Sequence, residues 1–530
     1  MGQILSAIKS PFYRREMLNY AKWAIRNRCV WSAAKKFIGG LRRWKPVEKY
    51  PFKVIGEDAE ITLRKHRFEW TDIAWSINSE ADCISVLDSI MEWIHKYPPK
   101  EGTEGWDAYS ASRRAINWVV LLSTLDGFGN GYNPVTMVNK SLLEHGSFIL
   151  RNLEYRGEAT NNHLIANAAA LYLIGTHLGV EEYINPGRAI LSTSTEGMFT
   201  EDGFLREGST HYHLLSCQVF TRIMASANDA NDKEFADLMG KHTLKMFGCA
   251  GILRKFDPLP LVGDNSPDSD PVTIMDGMER LGILPDSMDN AQAVVFPGSG
   301  YYRISMGLWK VFLYINPDGY VQPGSHGHDD ILGFSIYHDG NPVLVDSGRS
   351  TYEDCHIGRY GRSVRAHNSL SIDGIGPSLV HAHNAHIQLI LPEYYGSRTD
   401  IKCGFDHNLA AIRIEHKGFA RIRPGIGVAR FILMSDDLVV IEDRVDGKGR
   451  HLVEWFFHFH PSVNSHGEEF TLTSEEKGTL RRSVFNGIGG SNPAGWYSAK
   501  YGHCVPASTV IFSEKARLPI TRRFTLKHSG

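Results

Sequence analysis

The spacing of apolar residues changes once along this chain, and that change constrains the fold more than any other feature. From about residue 65 to 285, apolar side chains recur with helical spacing in segments separated by Gly, Asn and Pro. ASRRAINWVVLLSTL from Ala111, HLIANAAALYLIGTHL from His163 and HLLSCQVFTRIMASA from His213 all carry this pattern. After about residue 295 the period becomes two. FSIYHDGNPVLVD from Phe334 holds an Asp-Gly pair between two apolar runs, which is a hairpin signature, and VARFILMSDDLVVIEDR from Val428 and LVEWFFHFH from Leu452 alternate again. Amphipathic helices in series bury their stripes as stacked hairpins, either a bundle or an α/α toroid. Strands without intervening helices pair into antiparallel sheets, most simply a β-sandwich. The expected parts are an N-terminal helical extension (1–60), a helical domain (61–290) and an antiparallel β-domain (291–530), with the seam in PDSMDNAQAVVFPGSG from Pro285.

Charge and cysteine spacing remove several functions. With 57 Lys and Arg against 59 Asp and Glu, the formal charge is -2, so the broad electrostatic case for binding nucleic acid or an anionic membrane is gone. The seven cysteines are scattered without a CxxC pair, which argues against a disulfide framework or a Cys-based zinc site. The N-terminus is basic and amphipathic but lacks a signal-peptide core, and no apolar run approaches the roughly 20 residues that span a bilayer. The expectation is a soluble, cytoplasmic protein, with an amphipathic N-terminal helix on a membrane or partner as the second reading. The 24 histidines are the compositional feature that bears on chemistry.

Three clusters stand out. Asn161-Asn162-His163 precedes a strongly apolar helix. An Asn there is a favoured N-cap, but a second Asn and a His at the same helix end also suit an anion such as a carboxylate. EDGFLREGSTHYH from Glu201 crowds charged groups, Tyr212 and two histidines beside glycines. That is a poor recipe for packing and a good one for an active-site loop, although Tyr212 is equally suited to a core wall. SHGHDD from Ser325 opens the first hairpin, and His328 with Asp346 and His367 supplies a donor set suited to zinc. The hairpin register opposes this: a straight strand leaves His328 about five residues, roughly 17 Å, beyond the partner of Asp346, so a bend near Asp329-Asp330 is required. His381, His383 and His386, and the pair His458 and His460, read first as structural or exposed. Asp264-Asn265-Ser266-Pro267-Asp268 has the composition of a plain turn and also of a cleft lining.

The ordered pieces SRRAINW from Ser112, NNHLIANAAALYLIG from Asn161, EDGFLREGSTHYH, FPGSGYYRIS from Phe296, HGHDDILGFSIYHDGNPVLVDSG from His326 and RAHNSLSIDG from Arg365 run through about half of the chain. In this order the chain resembles the heparinase II/III family of polysaccharide lyases, which includes related alginate lyases. The resemblance implies an α/α toroid followed by stacked antiparallel sheets, with the active site between them. It also implies cleavage of an acidic, uronic-acid polysaccharide or oligosaccharide by β-elimination, in which a base takes the C5 proton, an acid protonates O4, and a 4,5-unsaturated uronate is left. By resemblance Asn162 and His163 hold the uronate carboxylate, Tyr212 is the catalytic tyrosine, His326 assists from the sheet side, and His328, Asp346 and His367 hold a structural Zn2+. Arg113, Asn161, Glu207, His211 and His213 are expected to contact substrate. Some heparin-cleaving members carry a Glu three residues after the active-site His, where this chain has Ala166. Two alternatives stay open: a non-catalytic glycan-binding or assembly protein on the same scaffold, and a toroid glycoside hydrolase using Glu207 with Asp202 or Asp264.

Overall fold

The structure, a computed structural model, describes residues 58–69, 80–99, 105–124, 133–155, 160–254, 256–280, 291–317, 321, 325–378, 400–406, 408–465, 470–474, 479–484 and 495–528. Residues 1–57 of the expected N-terminal extension, residues 285–290 of the expected seam and His381, His383 and His386 lie outside the described residues.

Helices come first: α1 (Ala59–Arg67), α2 (Glu80–Lys96), α3 (Ala108–Thr124), α4 (Asn133–Arg151), α5 (Asn162–Leu178), α6 (Glu181–Met198), α7 (Thr210–Asp229), α8 (Lys233–Ala250) and α9 (Pro271–Arg280). α5 is apolar almost all round and buried from Leu164 to Gly175, so it must be wrapped by neighbours; α3, α4, α6 and α7 pack against it. Its ends are well marked: the Asn161 side chain accepts from His163 N, and Gly179 closes the other end at φ +70. Among the described residues, no helix is long and apolar enough to cross a membrane.

Among the described residues every strand pairing is antiparallel. β1 (Ala293–Phe296), β2 (Tyr301–Met306), β3 (Trp309–Tyr314), β4 (Phe334–His338) and β5 (Asn341–Leu344) form one sheet in sequence order. In the larger sheet the order is β11 (Phe470–Ser474), β15 (Ser508–His528), β10 (Leu438–His458), β9 (Gly427–Met434), β8 (Leu409–His416), β7 (Asp400–Asp406). β12 (Thr479–Val484) joins β15, and β6 (Leu370–Ile372) joins β10. β13 (Trp496–Tyr497) and β14 (Val505–Pro506) make a small separate ladder. The first sheet is covered on both faces. Tyr302, Ile304, Val311 and Leu313 share a core with Ile412, Ile432, Ile441 and Phe512 of the second sheet, whereas Tyr301, Phe312, Tyr314 and Tyr337 belong to the core of the helices. Period-two alternation therefore feeds two cores at once, giving helices, sheet and sheet in three layers.

The Asp-Gly hairpin forms as the sequence indicates, with Asp339 at φ +47 and Gly340 at φ +78 between β4 and β5. The bend required of the preceding segment is also present: Gly333 N donates to Asp330 O at 2.6 Å, and Leu332 sits at φ +145. Arg430 secures it. Its guanidinium grips Asp443 with two bonds of 2.7 and 2.6 Å and donates to the carbonyls of Leu332 (2.6 Å) and Asn368 (2.7 Å), all buried. Breaking such a pair from one side leaves an uncompensated buried charge.

Backbone joins the two halves. His326 N donates to Glu207 O (2.9 Å), Asp264 N donates to His326 O (2.8 Å) and Thr210 N donates to Val262 O (3.2 Å). Gly263, at φ +62, is needed here because a β-carbon would sit on the carbonyl oxygens of Gly208 and His326.

Candidate active site

Helix starts and three loops converge on this seam. Ser209 caps α7 by accepting from Tyr212 N, so the first turn presents Tyr212 toward the β-domain. The Tyr212 ring lies flat on that of His326, with centroids 3.5 Å apart and an 8° angle between planes. Its hydroxyl is 2.8 Å from the Tyr352 hydroxyl, which is 2.9 Å from Asn265 O. A carbonyl only accepts, so Tyr352 donates to Asn265 and its oxygen accepts from Tyr212. Burial first, and then Tyr352, push the Tyr212 phenol well above 10.

His326 stands between two carboxylates. Nδ1 is 3.0 Å from Asp264 Oδ2 and Nε2 is 3.3 Å from Glu207 Oε2. Burial would raise the Asp264 carboxyl, but Arg349, 2.6 Å away, and the bonds from His326 and His328 hold it well below the usual carboxylate range. Glu207 has no such cation, and burial pushes its carboxyl up; its other oxygen accepts from Asn162 N at 2.6 Å. Asn162 and His163 follow the cap at the start of α5. His163 stacks on Tyr109 (4.1 Å, 18°), and its Nδ1 is 2.9 Å from Glu154 Oε1.

The seam thus brings Asn161, Asn162, His163, Glu207, Tyr212 and His326 together. The other residues expected to touch substrate sit deeper. Arg113 is buried beside Glu69 and Asp268. His211 accepts from Ser266 N through Nδ1 and is pushed down to about 4 by burial. His213 is 0% exposed, with Nδ1 accepting from Leu205 N and Nε2 3.2 Å from Met246 O, so it has no face for a ligand. Asp202 is engaged by Ser299. Tyr352, Arg349, Glu154 and Tyr109 lie in none of the motifs; each acts through a contact that spacing does not encode. Arg362 has no ion pair among the described residues, and its buried Nε has no acceptor.

His328, Asp346 and His367 are neighbours. The two rings are 5.4 Å apart, and His367 Nδ1 is 2.6 Å from Asp346 Oδ2. His328 Nε2 is 2.7 Å from Asp264 Oδ1. With those nitrogens donating to carboxylates, the lone pairs fall on His328 Nδ1 and His367 Nε2, both buried and without a partner. Among the described residues, however, no three His, Cys, Asp or Glu side chains close on a common point in a metal-ready arrangement. Asp346 bonds to His367 from behind, as an orienting carboxylate does.

Comparison with known proteins agrees with this architecture. Residues 31–249 match the sequence model of the heparinase II/III N-terminus, and residues 288–525 match that of the heparinase II/III-like C-terminal domain. The chain belongs to the heparinase II/III-like family. A curated relative, the heparin-sulfate lyase of Bacteroides thetaiotaomicron, is 24% identical over 428 residues, covering 70% of this chain and 60% of that protein, so the chain spans less than two thirds of its length. Among solved structures, heparinase III matches with a TM-score of 0.66 at 17% identity, over 91% of this chain and 79% of the other. The heparan sulfate lyase HepC of Pedobacter heparinus matches at 0.57 and 16%, over 90% and 77%. These likenesses establish the fold of this family member as an α/α toroid followed by antiparallel sheets.

Proposed function

We propose that this heparinase II/III-like protein is a polysaccharide lyase that cleaves a uronate-containing glycan by β-elimination. The observation that carries the reading is the buried Tyr212 phenol, held protonated and stacked on His326 at a seam that also presents a helix N-terminus. Removing a proton beside a carboxylate builds further negative charge on a group already charged, so donors must hold that carboxylate. The side chains of Asn162 and His163, at the positive end of the α5 dipole, are such donors.

The base in this reading is His326. Asp264 accepts from Nδ1, so Nε2 carries the lone pair, and because Nε2 is buried 3.3 Å from Glu207 Oε2, that carboxyl must give way for C5–H to reach it. The C5–H bond breaks toward Nε2 and its electrons form the C4=C5 bond. The C4–O4 bond breaks, and Tyr212 gives its hydrogen to O4. The products are a 4,5-unsaturated uronate end and a free hydroxyl on the departing chain. Purified protein incubated with a panel of uronate polymers should raise absorbance in the ultraviolet band of unsaturated uronates. Tyr212→Phe should lower the rate by about 10²- to 10⁴-fold, the range for one general acid. No rise with any polymer, while a control lyase responds, would defeat the reading.

A structural zinc belongs to the same proposal. The buried lone pairs of His328 and His367 have no partner among the described residues, and Asp346 must exchange its bond to His367 Nδ1 for the metal to complete a set of two imidazoles and one carboxylate. When bound, zinc would supply cross-linking of the bend before β4, the end of β5 and the segment before β6. Elemental analysis should return about one zinc per chain, and a chelator should lower the Tm. Metal-free protein with an unaltered Tm would remove the zinc.

A further inference from the structure

Glu154 lies just beyond α4, outside every motif above, yet it is clamped twice to α5. Its Oε1 is 2.9 Å from His163 Nδ1. Its Oε2 accepts from Asn167 Nδ2 at 3.4 Å, and its backbone N donates to Asn167 Oδ1 at 2.9 Å. Asn167 itself donates to Ser112 Oγ on α3 at 3.1 Å. Both the backbone and the side chain of Glu154 are therefore registered against the helix that carries His163, which an incidental surface pair would not achieve. The imidazole is held from a second direction by the stacked Tyr109 ring, whose hydroxyl is tied to Asp268 Oδ2 at 2.7 Å. One face and one edge of the His163 ring are thus occupied. Nε2 has no partner among the described residues and is not buried, so it is the atom left for a ligand.

We propose that Glu154 is a positioning residue: it keeps a hydrogen on His163 Nδ1 and thereby turns Nε2 to the uronate carboxylate. This rests on the lyase reading of the site. A carboxylate accepts, so Nδ1 must carry the hydrogen, and with a second carboxylate at Nε2 the ring donates on both sides. Without Glu154 the ring is free to exchange tautomers and to rotate over Tyr109. Residue 166 lies one helical turn after His163 on the same face, and a carboxylate there would reach the same ring. The chain has Ala166, so the acceptor arrives from the loop instead.

The test uses the full chain with Glu154→Gln, Glu154→Ala and Glu154→Ala combined with Ala166→Glu. Histidine ring-nitrogen NMR, with the His163 signal identified by its loss in His163→Gln, should show Nδ1 protonated in the wild type and a shifted tautomer in Glu154→Ala. On a polymer that the wild type cleaves, Glu154→Ala should lower kcat/KM about 10- to 100-fold, the usual cost of losing an orienting carboxylate. The loss should fall mainly on kcat, because the carboxylate gains charge in the transition state. Glu154→Gln, which keeps an acceptor, should lie between, and Ala166→Glu should restore part of the loss in kcat/KM even where the carboxylate at this buried position lowers the Tm. An unchanged His163 signal or unchanged kcat/KM in Glu154→Ala overturns the proposal. If Glu154→Ala does not fold, the same two readings on Glu154→Gln decide it. The NMR result is independent of turnover, so a wild type that cleaves no polymer would be seen separately as a failure of the lyase reading.

Discussion

Tyr212 donates its hydrogen to Tyr352, and Tyr352 donates to the Asn265 carbonyl. For Tyr212 to protonate a leaving oxygen, its hydrogen must swing away from Tyr352. The phenolate then formed needs a donor, and the Tyr352 hydroxyl is within reach. Tyr352→Phe should therefore lower kcat about 10- to 100-fold, somewhat less than losing one oxyanion donor usually costs, with little change in the Tm. Steady-state rates that do not change would remove Tyr352 from the chemistry. His163 was legible in the sequence because it follows a capping Asn before a strongly apolar helix, and Tyr212 because charged groups and histidines crowd around it beside glycines. Tyr352 was not: STYED from Ser350 has no periodicity, and its partner lies in the other half of the chain.

Elements owe their placement to buried polar joints as much as to apolar stripes. α1, α3 and the loop before α9 meet at Asp268, which accepts from Arg67 (2.6 Å) and Tyr109 (2.7 Å). Burial would raise the Asp268 carboxyl, but Arg67 overcomes this and holds it below the ordinary 3.8, whereas burial pushes the neighbouring Glu69 carboxyl well above its usual range. The sign follows from the lowered value: Asp268 contributes stability that is present above the unfolded carboxylate range, near 3.9, and is lost as pH falls toward its folded value. The stability gap between wild type and Asp268→Asn in urea unfolding should thus be wide at pH 6 and narrow by pH 3. A gap independent of pH would contradict the assignment. Helix and strand types were readable from periodicity, but the sequence offered Asp268 only within a turn or cleft lining, because the donors that need it come from α1 and α3.

The whole molecule is held together at the seam by three strands of chain that pass backbone to backbone, with Gly263 at their crossing. A second tie lies at the start of α1, where Asp58 is gripped by Thr351 and by Tyr501 (3.1 Å), and Tyr501 also accepts from the Tyr352 backbone N at 2.8 Å. Gly263→Ala forces a β-carbon onto two carbonyl oxygens in a left-handed conformation. It should cost at least about 1–3 kcal/mol in urea unfolding and lower turnover, since the Tyr212 and His326 rings would no longer meet flat. A variant as stable and as active as the wild type would show that the crossing is not required.

By itself the sequence determined the class of each half, the Asp-Gly hairpin, the bend demanded before it and the helix end that bears Asn162 and His163. Those features are local: periodicity, capping and turn chemistry act over a few residues and are written in order along the chain. Only the tertiary structure decided that His211 and His213 turn inward while Glu154 and Tyr352 turn to the site, that the first sheet feeds two cores, and that Asp346 stands behind His367. Those outcomes depend on which distant groups satisfy each buried donor and acceptor, and burial makes that pairing obligatory without recording it in the spacing. The near-zero net charge belongs to the same lesson: it excluded a broadly basic surface, whereas the burial of the Arg362 Nε without an acceptor is a property of the fold.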